Sequence, residues 1–203
     1  MVIKLLSSMP RPRSVSDPQV FVAFSRAVGR LGPVGVTLAD VAKEAGITAS
    51  ALAQRFGSKR ALFAAFMRHE LAAQPDRLAR LNASTRTPLS ALLGLAGGIE
   101  GYSTDRGIYL RHIASFMLEL ADDPEIQPVV RAWMEAECAW IAARLKDALA
   151  TGALRPETHV PTLARLLQAT LQGARFQWAL AGAGEEHAWT RRQMEQVLKP
   201  WRI

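Results

Sequence analysis

The segment TLADVAKEAGITASALAQRFGSKRALF, residues 37–63, decides the fold of this chain. Its apolar residues recur at helical spacing on both sides of a glycine, which is typical of two short helices joined by a tight turn. Thr37 is suited to cap the first helix, and Gly46 to end it in the left-handed conformation. Thr48 is suited to cap the second, which we expect over Ala49–Phe56. The segment therefore predicts a helix-turn-helix.

The second of these helices is expected to have an inner and an outer side. Leu52 and Phe56 stand four residues apart and are expected to face inward, while Ser50, Gln54 and Arg55 are free to face outward. A short helix with polar side chains on its outer side suits the DNA major groove, where base edges are read. The pattern thus indicates a nucleic-acid partner.

The distribution of charge agrees with this interpretation. Twelve basic and five acidic residues precede Asn82, so the entire formal net charge of +7 lies in the part that holds the helix-turn-helix. The remaining 122 residues carry thirteen charges of each sign. Basic residues that served only to keep the surface soluble would be spread along the chain. We therefore expect the N-terminal part to meet phosphates.

The rest of the chain has helical periodicity and lacks the alternating apolar and polar pattern of strands. We expect one helix from Asp17-Pro18 to Leu31 and another after Ser58. Five more are expected at about 87–102, 105–121, 124–150, 159–181 and 185–199. The predicted fold class is all-α with about nine helices. The predicted organisation is a flexible basic arm over residues 1–16, a three-helix helix-turn-helix domain over 17–64 and a helical domain over 65–203.

Several classes of protein are disfavoured by the sequence. The four histidines lack metal-binding spacing, a single Cys138 cannot form an intramolecular disulfide, and no glycine-rich phosphate loop follows a strand. We therefore expect no catalytic residue, no metal and no cofactor. The longest uncharged helical run, residues 87–99, is well short of the roughly 20 apolar residues of a spanning helix, and MVIKLLSSM has too short an apolar part for a signal peptide. We expect a cytoplasmic protein with no membrane partner.

The pattern T-LADVAKEAGIT-ASALAQRF-GSK-AL resembles the N-terminal domain of the TetR family of one-component transcriptional repressors, in its TetR/AcrR-like form. The length, the preceding amphipathic helix and the helical second region are similar as well. The resemblance implies a sequence-specific DNA-binding regulator. It also implies a homodimer on a palindromic double-stranded operator, released when a small-molecule effector binds the C-terminal domain.

The resemblance places individual residues at the DNA. Thr37 and Lys59 stand where the family contacts phosphates, Thr48 stands at the cap of the recognition helix, and base edges are read by the residues that follow it. The expected DNA-binding set is Thr37, Thr48, Ala49, Ser50, Gln54, Arg55 and Lys59.

The sequence departs from the family pattern at two of these positions. Ala53 replaces a tyrosine that usually grips a phosphate, and Ala49 replaces a residue that is often basic. Our hypothesis is that Arg55, Arg60 or the arm that carries Arg11 and Arg13 compensates for the lost backbone contacts.

The second region is expected to hold an apolar or aromatic effector, because bulky rings share helix faces there with single polar groups. The expected ligand-binding residues are Tyr109, His112, Phe116, Trp133, Glu137 and Trp140. The alternative is that these rings are simply core and that His112 is a hydrogen-bonded core histidine.

The penultimate helix resembles the family's dimerising helix in the stretch LLQATLQGARFQWAL. The expected dimer residues are Leu167, Leu171, Ala174 and Trp178. The alternative is packing within one chain. Two other functions also stay open: an interaction protein that has lost DNA binding, and a constitutive DNA binder without a ligand.

Overall fold

The computed structural model describes residues 15–97 and 106–203. Within these ranges it contains nine α-helices and no strand, which confirms the predicted all-α fold. Residues 1–14 of the predicted arm lie outside the described ranges, as do the end of the helix predicted over 87–102 and the start of the one predicted over 105–121. The helices are α1 Asp17–Gly35, α2 Leu38–Ala45, α3 Ala49–Phe56, α4 Lys59–Ala83, α5 Pro88–Gly94, α6 Arg106–Glu119, α7 Gln127–Ala150, α8 Val160–Ala181 and α9 Glu186–Leu198.

The helix-turn-helix forms where the local sequence predicts it. The Thr48 hydroxyl accepts a hydrogen bond from the backbone N–H of Ala51 at 3.1 Å, and the Ser58 hydroxyl accepts one from Ala61 at 3.1 Å. Gly46 ends α2 with φ 70° and ψ 30°, a left-handed conformation that a side chain disfavours. These caps satisfy backbone groups that a helix end leaves open. They fix where α2 ends and where α3 and α4 begin.

The first hydrophobic core joins α1–α4 to α6. Leu52 from α3 is fully buried in it, as are Phe24, Phe63 and Phe116 from α1, α4 and α6. The Phe63 and Phe116 ring centroids lie 4.2 Å apart. A residue far along the sequence thus completes the core beneath the helix-turn-helix. The helix α4 also continues without interruption through the predicted domain boundary at residues 64 and 65.

The second core is formed by α5, α7, α8 and α9. Its fully buried members include Leu92, Ile141, Leu145 and Leu171. The α4 helix packs against α7, and α6 packs against both α1 and α8. The α6 helix therefore has one neighbour in each core.

The chain bends sharply at Gly32, where α1 is kinked. Gly32 has φ 75° and ψ 164°, a combination open almost exclusively to glycine. A Cβ built there would lie 3.1 Å from Nε2 of His112, whose Nδ1 makes a 2.9 Å hydrogen bond with the Val28 carbonyl oxygen. Backbone conformation and the close approach of α6 both require glycine at this position.

We predict that Gly32→Ala destabilises the protein by about 1–3 kcal/mol, because alanine must strain the backbone and push against His112. Urea denaturation followed by circular dichroism measures the loss. Gly35→Ala is the matched control, since its new Cβ would approach nothing nearer than Cβ of Leu31 at 4.0 Å. Equal stability of the two variants would contradict the prediction.

Candidate functional site

The outer face of α3 is open to solvent. Ala49, Ser50 and Gln54 are exposed, while Leu52 is fully buried and Phe56 is partly buried beneath the helix. This is the division that the sequence predicted. The exposed side chains are small or uncharged, so a partner can approach the helix closely.

Two threonines hold the helix starts beside this face. Thr37 forms a capping box with Asp40, in which its hydroxyl donates to the Asp40 carboxylate at 2.6 Å and its backbone N–H donates at 2.9 Å. These hydrogen bonds from Thr37 lower the pKa of Asp40. Thr37 and Thr48 are both exposed. The starts of α2 and α3 are thus ordered and accessible, as an anion site at a helix N-terminus requires.

Arg55 is exposed and Lys59 is partly buried, and both cations are also engaged by acceptors within the chain. The Arg55 guanidinium pairs with the Asp17 carboxylate and donates to the Val15 carbonyl oxygen at 2.6 Å. The Lys59 ammonium donates to the Pro33 carbonyl oxygen at 2.7 Å and lies 5.9 Å from the centre of the Phe116 ring. The acceptors are Asp17 and Pro33 on α1 and Val15 just before it, all distant in sequence from the two cations. In this structure they hold α3 and α4 against their neighbours.

Arg60 is also engaged within the chain. Its guanidinium makes a two-pronged ion pair with Asp123 in the α6–α7 turn, with Nη2 donating to Oδ1 at 2.9 Å. The Asp123 carboxylate also accepts the backbone N–H of Glu125 at 2.9 Å and that of Ile126 at 3.3 Å. The Arg60 hydrogen bond, with these backbone donors, lowers the pKa of Asp123 to about 2. This ion pair joins the start of α4 to the C-terminal helices.

Three of the residues expected to bind a ligand instead face the N-terminal helices. The Tyr109 hydroxyl accepts a hydrogen bond from Ser25 at 3.1 Å, His112 lies against the α1 kink, and Phe116 is in the first core. The aromatic pattern of α6 was read correctly as one face, but that face packs on α1 and α4. A face that packs tightly against helices has no room for a ligand.

The other three lie on α7. Glu137 is 4% exposed, and its carboxylate accepts hydrogen bonds from the side-chain amides of Gln172 at 2.9 Å and Gln168 at 3.2 Å. Burial raises the pKa of Glu137, against the opposing effect of these amides and of Arg175. Trp133 and Trp140 are partly buried. Glu137 is thus a buried polar group satisfied by α8.

Open space is found elsewhere, on the outer side of α7. One groove, of about 600 Å³, lies between α6, α7 and α8, and a second, of about 340 Å³, continues between α7 and α8. They share Glu135, Cys138 and Arg165. None of the six residues expected to bind a ligand lines either groove. Sequence periodicity missed the grooves because they form between helices from three separate parts of the chain.

The expected dimer residues require a correction. Leu167 and Leu171 are fully buried and Ala174 is 4% exposed within a single chain, so they cannot contact a second copy. Trp178 is partly buried. The opposite side of α8 carries a largely exposed apolar stripe. The α8 stripe consists of Leu166, Ala169, Gly173, Phe176 and Leu180.

Within residues 15–97 and 106–203, the histidine, cysteine and acidic side chains form no group of three or more that could hold a metal ion. Among the helices of the same ranges, none has both the length and the apolar character needed to cross a membrane.

Comparison with known proteins identifies the N-terminal region and the fold. Residues 28–66 match the family model described as bacterial regulatory proteins, tetR family. No curated protein sequence gives a significant match.

Solved structures of similar fold include a putative transcriptional regulator from Saccharomonospora viridis in complex with choline, with a TM-score of 0.76 and 17% identity, covering 92% of this chain and 97% of that one. A TetR transcription regulator from Haloarcula marismortui has a TM-score of 0.71 and 18% identity, covering 92% and 98%. A TetR-family regulator from Cytophaga hutchinsonii has a TM-score of 0.71 and 15% identity, covering 97% and 99%.

We predict that Asp123→Asn lowers the urea midpoint at pH 7, because it removes the charge that pairs with Arg60. A folded-state pKa of about 2, below the ordinary 3.8, means that Asp123 stabilises the folded state above pH 3.8 and loses this effect as pH falls toward 2. The difference between wild type and variant should therefore shrink over that interval.

The matched control is Glu125→Gln in the same turn. Its partner Arg68 is 3.6 Å away, and both side chains are more than half exposed, so little stability should be lost. A difference between wild type and Asp123→Asn that stayed constant down to pH 2 would contradict the assignment.

Proposed function

We propose that the protein is a DNA-binding transcriptional repressor that is released from its operator by a small-molecule effector. Two findings support this proposal: residues 28–66 match the tetR family model, and the chain has a fold similar to that of solved TetR-family regulators. It would act as a homodimer in the cytoplasm. The observation that carries the proposal is the exposed face of α3 between two capped helix starts.

The α3 helix supplies base contacts in this proposal. Gln54 can hydrogen-bond both N6 and N7 of adenine in the major groove, Ser50 can pair with several base edges, and Ala49 can contact a thymine methyl. The backbone N–H groups at the starts of α2 and α3, beside Thr37 and Thr48, suit phosphate oxygens. Direct readout is thus assigned to three side chains and positioning to two helix ends.

The cations close to α3 have a supporting role. Arg55 pairs with Asp17 at the start of α1, and Lys59 donates to the Pro33 carbonyl oxygen on the same helix, so both hold the helix-turn-helix against α1. Phosphate attraction would then come from the charge of the whole N-terminal part, which carries the formal excess of +7. This division of labour fits a recognition helix that has Ala53 in place of a tyrosine.

The α8 stripe is the proposed dimer interface. Leu180 is 63% exposed, Leu166 48% and Phe176 45%, and these side chains share one side of the helix with Ala169 and Gly173. A Cβ on Gly173 would meet nothing within 4 Å, so a second helix can approach closely there. Apolar surface of this extent on one helix is stabilised by burial against a copy of itself across a two-fold axis.

Effector control is proposed to pass through α6 and the α6–α7 turn. One side of α6 contacts α1 through Tyr109 and His112, and the turn holds Arg60 through Asp123. A ligand that shifts α6 would shift α1 and the start of α4 with it. One regulator of similar fold, the Saccharomonospora viridis protein, was solved in complex with the small molecule choline, which supports this proposal. Two half-sites about 34–36 Å apart demand fixed helix spacing, so a modest shift suffices for release.

We predict that Gln54→Ala weakens binding to an operator selected from random duplexes by about tenfold, because one bidentate base contact is lost. Affinity for unrelated duplex should stay unchanged, since phosphate attraction is unaffected. Fluorescence anisotropy at fixed salt measures both. Gln196→Ala on the exposed side of α9 is the control. The proposed function would be contradicted if selection from random duplexes yielded no palindromic sequence, or if the wild-type protein bound no duplex DNA even at low salt.

We predict that Phe176→Glu converts the dimer to a monomer, because the two-fold axis buries a carboxylate from each copy in an apolar interface. Sedimentation velocity at micromolar concentration measures the state. Val34→Glu is the matched control: Val34 is an apolar side chain that is 83% exposed on α1, so the substitution should leave the dimer intact. A dimeric Phe176→Glu protein would rule out this interface.

A further inference from the structure

The groove between α6, α7 and α8 has an apolar lining and a charged rim. Met117, Leu118 and Leu120 approach from the α6 side, and Val130 and Met134 from α7. Its volume of about 600 Å³ falls within the usual range of small-molecule sites, about 300–1,000 Å³. The apolar wall alone would suit many classes of ligand. The charges of the rim residues restrict which class can bind.

Two arginines stand at this rim with little to balance them. Arg131 on α7 and Arg165 on α8 both line the groove, and neither pairs with a carboxylate among the described residues. Of the residues that the structure describes, Glu135 is the single acidic one in the lining, and the continuing groove adds a third cation, Lys146. The polar surroundings thus favour a negative charge. A cation would meet net repulsion there.

The two grooves together form an elongated trough beside α7. Their linings run from Gln127 to Lys146, which corresponds to about 28 Å along the helix at 1.5 Å per residue. A compact ligand would fill a small part of this length. A molecule with an extended apolar chain would bury more surface against it.

We propose that this trough binds an amphiphilic anion, a long-chain carboxylate, with its carboxylate on Arg131 and Arg165 and its chain along the apolar wall. A guanidinium pairs with a carboxylate through two parallel hydrogen bonds, which a neutral head group cannot reproduce. The chain gains the free energy of leaving water. Head and tail therefore contribute separately to binding.

This inference rests on the proposed function for its regulatory consequence. Leu120 and Ala121 line the groove just before Asp123, and Gln127 lines it just after. The Asp123 turn, which holds Arg60 at the start of α4, is thus bracketed by groove residues. A bound chain that reaches this end spreads the turn and weakens the contact with α4. The ligand then favours one arrangement of this turn and the operator favours the other, so the binding of each weakens the binding of the other.

The single cysteine of the chain makes the site directly testable. Cys138 lines both grooves and is partly exposed, so a thiol reagent reports whether they are occupied. The full chain is labelled with a maleimide in the presence of dodecanoate below its micelle concentration. Dodecanol and dodecyltrimethylammonium serve as the matched neutral and cationic probes. Melting curves recorded with each probe show that the protein stays folded.

At about ten times its dissociation constant, dodecanoate should slow labelling about tenfold, because only unoccupied protein reacts. Arg131→Gln with Arg165→Gln should weaken this protection about tenfold, as two exposed charge pairs are lost. Arg192→Gln, exposed on α9 and outside both grooves, should leave it unchanged.

Equal protection by all three probes would overturn the anionic assignment, and no protection by dodecanoate would overturn the site. Operator binding, measured on the same preparations, separates this inference from the proposed function. Protein that binds its operator but shows no protection by dodecanoate refutes the trough alone. Protein that is protected but binds no duplex refutes the proposed function and leaves the site standing.

Discussion

The packing of Phe116 into the core of the N-terminal helices is the contact on which the rest of the structure depends. Its ring lies 4.2 Å from that of Phe63 on α4, and the same core holds Leu52, the one fully buried side chain of α3. The exposed face of α3 is therefore oriented by a core that α6 completes. Dense packing transmits small displacements because it cannot deform smoothly. A shift of α6 must reach the surface that is proposed to meet DNA.

Directional polar contacts between the helices of this junction accompany the apolar packing. Lys59 bonds the Pro33 carbonyl beside the Phe116 ring, His112 bonds the Val28 carbonyl, and Asp123 holds Arg60. Each links an N-terminal helix to its neighbour or to the α6–α7 region. A partly buried polar group loses free energy when its partner is removed, so the Lys59 and His112 contacts favour the arrangement in which both are formed. Such a junction is suited to switching between discrete states.

The sequence predicted the helix-turn-helix because its determinants are local: Thr37, Thr48 and Gly46 specify caps and a turn within a few residues. It did not predict which face of a long helix meets which neighbour. On α8, Leu167 and Leu171 point into the chain while Leu166 and Phe176 point out, and both sides read as apolar. The ion pair of Arg55 with Asp17 was not predicted for a related reason, since the two residues are distant in sequence. Partner choice between helices depends on tertiary contacts that periodicity does not encode.

Hydrogen exchange of the Phe116→Ala protein tests most directly whether α6 completes the core beneath α3. The substitution should cost about 3–5 kcal/mol of local packing. The account predicts that amide protection falls across α1–α4 while α8 and α9, in the second core, keep theirs. Unchanged protection in α1–α4, or an equal loss in both cores, would contradict it.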